Sequence, residues 1–234
     1  MKKRSVEHHL KSSVGSNFRE VILGGQDGVV NVLGVVLAIA AATNEARVVI
    51  IAGIAANLAE SLSMAAVAYT STKADNQYYN SEYQREKKEV KEIPEQEKKE
   101  IYQIYHKKGF RGELLNKIVA KITSSKKLWI QTMMTDELKL SSELLVNPLK
   151  SALVVGLSAL IGSTIPLLPF FLVSIKSGII LSLIFSTLAL FITGALKAKF
   201  TIGNWLKNGV EMALIGIITA LCGYGIGLLL GKLL

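Results

Sequence analysis

The chain holds one cysteine, Cys222, in 234 residues, so no intrachain disulfide is possible. No cleavable signal peptide is expected. The first residues are polar and basic, and the first apolar run is long enough to span a bilayer rather than be removed. No internal repeat and no low-complexity segment is visible. Between residues 74 and 145 there is one histidine, His106, and no Glu-x-x-His, the spacing with which ferritin-like bundles hold paired irons. That absence argues against oxidation chemistry.

What is present is apolar surface. Half of the residues are hydrophobic, too many for an ordinary soluble domain, and they are unevenly spread. A helix needs roughly 20 mostly apolar residues to cross a bilayer. Five stretches reach that length, at about 19–43, 48–72, 147–169, 173–196 and 206–231. The third and fourth run close together around Pro166 and Pro169. The fold expected is therefore an all-α membrane protein of five transmembrane helices, with a helical insert between the second and third. Its expected divisions are a polar tail at 1–17, the first two spans at 18–73, the insert at 74–145 and the last three spans at 146–234.

The net charge of +9 could point to nucleic acid. In a membrane protein, Lys and Arg more often report orientation. Lys2, Lys3, Arg4, Lys11 and Arg19 precede the first span, the insert carries fourteen Lys and Arg, and Lys197, Lys199 and Lys207 lie between the fourth and fifth spans. Five spans put all three regions on one side, against only Arg47, Lys176 and Lys232 on the other. The expectation is an N-terminus and insert in the cytosol, a C-terminus outside, and no nucleic-acid partner.

The insert reads as short helices. A polar helix continues from the second span to about residue 92. Pro94 fits a break and a new start, since proline suits the first turn of a helix. Residues 95–107 form the next helix, with Ile101, Ile104 and Tyr105 on its apolar face. Gly109 and Gly112 mark a turn. Leu114, Leu115, Ile118, Val119 and Ile122 then recur at helical spacing, and a further helix covers about 126–139. Such short amphipathic helices need neighbours, so packing against a second copy of the chain is expected.

Charged groups inside the spans are the first candidates for chemistry, because a carboxylate in lipid is costly and usually faces a cavity or a partner. Asp27 lies inside the first span, one turn before Asn31, with Gly24 and Gly34 extending the same polar, narrow stripe. In the second span Glu60 and Met64, four residues apart, share a face, and Asn57 lies one turn before Glu60. A carboxylate oxygen and a thioether sulfur together favour a transition metal, whereas oxygen alone would favour Mg2+ or Ca2+. Glu211, four residues after Lys207, is explained by an i,i+4 ion pair, with proton carriage as the other reading. Gly223, Gly227 and Gly231 make overlapping GxxxG patterns that let helices approach closely. The adjacent His8 and His9 sit in the tail, where a histidine pair is a weak metal signal.

The insert holds the second set. Glu82, Glu86 and Glu89 stack on one helix face, where like charges destabilise by a few tenths of a kcal/mol each. A bound cation would reverse that sign. Glu97 and Glu100 repeat the spacing in the next helix, and Met133 and Met134 stand near Glu137. The bland alternative is a solvated surface, since Lys87, Lys88, Lys91, Lys98 and Lys99 are interleaved.

These motifs together resemble the vacuolar iron transporter family. The likeness runs from Phe18-Arg19-Glu20 through Gly25-Gln26-Asp27-Gly28-Val29-Val30, resumes at Ser63-Met64, and is most specific at Met133-Met134-Thr135-Asp136-Glu137-Leu138. The resemblance implies a homodimeric carrier, not an enzyme, that moves Fe2+, and Mn2+ or another divalent transition metal beside it, out of the cytosol in exchange for protons. It implies a transport path lined by Asp27 and Met64, and a cytosolic metal site of Glu86, Glu89, Glu97, Glu100, Met133, Met134 and Glu137. Many members carry an acidic residue four positions after the second-span methionine, where this chain has Ala68; Glu60, on the other side of Met64, is the residue placed to compensate. The membrane implied is the plasma membrane in a prokaryote and the vacuolar membrane in a eukaryote. Two rival readings remain from the residues alone, a membrane-anchored ferroxidase and a metal-sensing or binding protein without transport.

Overall fold

The computed structural model describes residues 2–200 and 203–233, with the side chains of 18–143, 145–198 and 203–233. The chain folds entirely into helices and turns among these residues. They are α1 (Lys2–Thr43), α2 (Ala46–Glu92), α3 (Pro94–Lys107), α4 (Gly112–Thr123), α5 (Lys126–Thr132), a π-helix (Met133–Glu137), a 3-10 turn (Ser142–Leu144), α6 (Pro148–Leu167), α7 (Pro169–Leu172), α8 (Ile175–Phe200) and α9 (Trp205–Leu233). Backbone helix begins at Lys2, so the polar segment 2–17 and the first span share one helix. The side chains of His8 and His9 lie outside the described residues.

Two compact units form, residues 1–69 with 148–234, and residues 70–147. Five helices are long and apolar enough to cross a membrane: Phe18–Thr43 of α1, α2, α6, Ile175–Ala198 of α8, and α9. Only about 20 of the 47 residues of α2 are needed for a crossing, and those after position 72 are too polar for hydrocarbon. Pro166 lies inside α6, and Pro169 opens the separate turn α7, which divides the third apolar stretch from the fourth.

The first unit is built around α1. Its residues Val32, Leu33, Val36, Leu37 and Ala40 form a core with Val49, Leu167, Phe170 and Ala220. Small residues set the approach of its neighbours. A Cβ added at Gly24 or Gly28 would strike the carbonyl oxygens of Val155 or Ala159 on α6, and one at Gly162 would strike that of Gly25. On another side, Gly223 and Gly227 of α9 lie against the carbonyls of Gly34 and Ala38, and Gly231 lies against Ala42. The GxxxG series of the last span is thus a backbone-to-backbone seam with the first. Outward-facing leucines and isoleucines stay bare, among them Leu62 at 71%, Ile161 at 68% and Leu229 at 66% exposure. Lipid is the medium in which that surface carries no penalty.

The second unit has its own core. Val90, Ile101, Leu115, Val119, Ile122, Trp129, Ile130, Met133 and Met134 pack together, edged by Tyr79, Tyr83, Tyr105, Phe110 and Leu138. Pro94 begins α3 as the first-turn rule requires. Gly109 and Gly112 adopt φ of +100° and +57°, left-handed conformations that only glycine takes easily. The helix expected over 126–139 differs from the one observed. Regular α-helix stops at Thr132, and Met133–Glu137 widen into a π-turn in which the Leu138 amide donates to the Met133 carbonyl at 3.2 Å.

Candidate metal centre

The acidic faces of α2 and α3 meet in the second unit. One oxygen each from Glu86, Glu89 and Glu97 lie within 4.8 Å of one another, close enough to bind one ion. Glu86 and Glu97 are 2% exposed, and in each the Oε2 atom is buried without a hydrogen-bond partner. A buried, unsatisfied carboxylate oxygen is expensive to hold, and either a proton or a bound cation relieves it. Burial pushes the Glu86 carboxyl up to about 7, with repulsion from Glu137 and Glu89 adding to it and Arg85 opposing. Burial likewise raises Glu97 to about 7, helped by Glu100, Glu86, Glu89 and Glu137. Glu137 is raised by burial and by Glu100 and Glu89, against Arg85. Glu86, Glu97 and Glu137 are thus each raised in part by neighbouring glutamates.

Glu100 accepts a hydrogen bond from Gln96 at 3.3 Å and sits one turn from Glu97. Met133 and Met134 are 0% and 1% exposed, in the same core as Val90 and Ile101, the residues that follow Glu89 and Glu100 in α2 and α3. The converging oxygens are those of Glu86, Glu89 and Glu97, and the two methionines lie in the apolar core of the same unit; a thioether joining such carboxylates would shift preference toward a divalent transition metal.

Two features escape a reading of spacing. Arg85 lies among the glutamates, its Nη1 2.8 Å from Glu82, its Nη2 3.5 Å from Glu86 and its Nε 3.7 Å from Glu89. The stacked glutamates therefore have a cation of their own. Its i−3 and i+4 offsets from Glu82 and Glu89 were the available signal. The second feature is Asp136, which pairs with Lys108 at 2.6 Å and accepts a hydrogen bond from Tyr105; the Lys108 ammonium also lies 4.6 Å from the Tyr105 ring centre. Burial alone would raise Asp136, but Lys108, Tyr105 and Lys139 outweigh it and hold it below the usual range. The clamp ties the π-turn to the end of α3. π-turns recur at functional sites because they re-aim side chains that a regular helix would turn away.

In the first unit, Glu60 of α2 makes side-chain hydrogen bonds with Asp27 and Asn31 of α1. Asp27, Glu60 and Met64 are each half-buried. The stripe expected along α1 divides. Asp27 and Asn31 face Glu60, whereas Gly24 packs on α6 and Gly34 on α9 near Thr219, because glycines are drawn to helix crossings. Asn57 is engaged elsewhere: its Nδ2 donates to Thr164 at 3.4 Å and it accepts from Ser61. The ion pair expected between Lys207 and Glu211 does not form among the described residues. Glu211 is exposed, free to follow solvent or headgroups instead. Ala68 is buried.

Five helices long and apolar enough to cross a bilayer, a pair of carboxylates among them and a helical unit with converging glutamates are the features of an integral membrane protein with a candidate cation site. The chain belongs to the VIT family, whose model matches residues 18–228. Similar proteins include vacuolar iron transporter 1 of Oryza sativa subsp. japonica, 30% identical over 94% of this chain and 86% of its own length, and vacuolar iron transporter 1 of Tulipa gesneriana, 28% identical over 93% and 89%. The vacuolar iron transporter of Plasmodium falciparum is 29% identical over 92% and 82%. The family is one of transporters rather than enzymes.

Proposed function

We propose that this protein carries Fe2+ across a membrane, out of the cytosol, in exchange for protons, with Mn2+ as a second substrate. The observation that carries the reading is the convergence of Glu86, Glu89 and Glu97, two of them with buried unpartnered oxygens, in a chain similar over nearly its whole length to named iron transporters. In this reading Glu86, Glu89, Glu97, Glu100 and Glu137 gather the cation with Met133 and Met134 from the cytosol. The ion then exchanges part of its water shell for Asp27, Glu60 and Met64 inside the spans. Protonation of carboxylates competes with metal, so a proton arriving where an ion leaves is the natural counter-flow. Glu60 stands in for the acidic residue that Ala68 replaces, supported by its hydrogen bond with Asp27. Two copies form the working carrier. The relatives' names point to a vacuolar membrane; the Lys and Arg distribution favours a cytosolic N-terminus and insert.

The test is flux of Fe2+, Mn2+ and Zn2+ into proteoliposomes across an imposed pH gradient, wild type against Asp27→Ala. Uptake by the wild type that follows the gradient and is lost in the variant is the expected result. Metal binding without uptake would leave a sensor or scaffold, and uptake indifferent to the gradient would remove the proton.

A further inference from the structure

We infer that Arg85 is a built-in competitor for the metal site and sets which cations it accepts. This rests on the metal-gathering reading of the Glu86, Glu89 and Glu97 cluster. The guanidinium is anchored by its close pair with Glu82, whose side chain is 13% exposed, and from there reaches Glu86 and Glu89 at the longer distances of 3.5 and 3.7 Å. Glu86 and Glu89 are two of the three residues that converge on a single point. Arg85 itself is half-exposed at 49%, so it can swing toward solvent without leaving a cavity.

These contacts have an order. The tight one goes to a carboxylate outside the converging three, and the loose ones go to two carboxylates inside it. A divalent ion bound by Glu86 and Glu89 places two positive charges beside the guanidinium and competes with it for the same two carboxylates. Like charges at such range repel, more strongly where water is partly excluded. The ion must push the arginine back onto Glu82 or out to solvent. A dication can do so, since its attraction to three carboxylates exceeds that of one delocalised charge at 3.5 Å or more. A monovalent ion brings no more charge than the arginine already supplies and has no advantage over it. Arg85 therefore excludes potassium and sodium and lowers the affinity for the dication, which favours its release to the next site.

The experiment uses the full-length protein in detergent with Mn2+ as probe, its binding followed by electron paramagnetic resonance. Arg85→Gln is expected to bind Mn2+ about tenfold tighter, a change of about 1.4 kcal/mol, and to lose part of its preference over K+. Arg85→Lys, which keeps the charge, should stay near wild type, and millimolar guanidinium added to Arg85→Ala should bring its affinity back toward wild type. An Arg85→Gln affinity that is unchanged or weaker, or an Arg85→Lys that tightens equally, overturns the inference. A second measurement needs no variant. Saturating Mn2+ should speed modification of Arg85 by phenylglyoxal, read by mass spectrometry, and an unchanged rate overturns the inference as well. Glu97→Gln separates the two readings: if it binds Mn2+ as tightly as wild type, the metal-site reading fails rather than the role of Arg85.

Discussion

Single carboxylates decide how the candidate site responds to pH. Glu86 and Glu97 titrate near 7, well above the ordinary 4.5, because burial and neighbouring glutamates disfavour their charged forms. A raised carboxyl pKa means the folded protein holds protons that the unfolded chain has released. The contribution of these two groups to the stability of the metal-free helical unit is therefore fully present below about pH 4.5 and is lost as pH rises through 7, whereas the lowered Asp136 works the other way in acid. Metal binding has the opposite profile, since the ion needs both carboxylates ionised. Mn2+ affinity is expected to rise steeply between about pH 5.5 and 7, with proton release on binding, and to level off above; titration calorimetry in buffers of different ionisation enthalpy measures both. At this scale the sequence was informative about ligand type and uninformative about partners. The i,i+3 glutamate spacing put the carboxylates on helix faces, but their meeting depends on how α2 and α3 fold back at Ile93-Pro94. Arg85 was passed over among interleaved lysines, because which basic side chain turns inward is a matter of packing.

At the scale of elements, the helix series was legible from proline, glycine and apolar periodicity, down to the break at Pro94 and the turn at Gly109–Gly112. The π-turn was not, since a widened turn uses the same residues as an α-helix and is held by contacts distant in sequence. Asp136 reaches back to Lys108 and Tyr105, 28 and 31 positions earlier. Asp136→Asn is expected to loosen that turn, lowering Mn2+ affinity severalfold while circular dichroism keeps its helical signal. Lys108→Met should act alike, and the double variant should add little, as expected for two ends of one interaction. Among the membrane helices, Gly28→Val would drive a side chain into the Ala159 carbonyl and the Ser163 hydroxyl, the latter 2.6 Å from an added Cβ. Overpacking of this kind destabilises by about 2 kcal/mol or more, visible as a lower unfolding midpoint in detergent.

On the scale of the whole molecule, the distribution of Lys and Arg predicts an orientation in the membrane. The insert carries fourteen Lys and Arg, each a trypsin target. Trypsin added to inside-out vesicles is expected to cut within 74–145, and right-side-out vesicles should leave that stretch whole; the reverse pattern would invert the orientation. One consequence remains in how α1 is held. Its carbonyls are wedged against α6 on one flank and α9 on another, with glycines at the crossings. A helix caught between two such vices can neither slide nor roll without grinding peptide units past each other. In the carrier proposed above, Asp27 would ride on that stationary post, and any change in its exposure would have to come from the side chains and helices that face it.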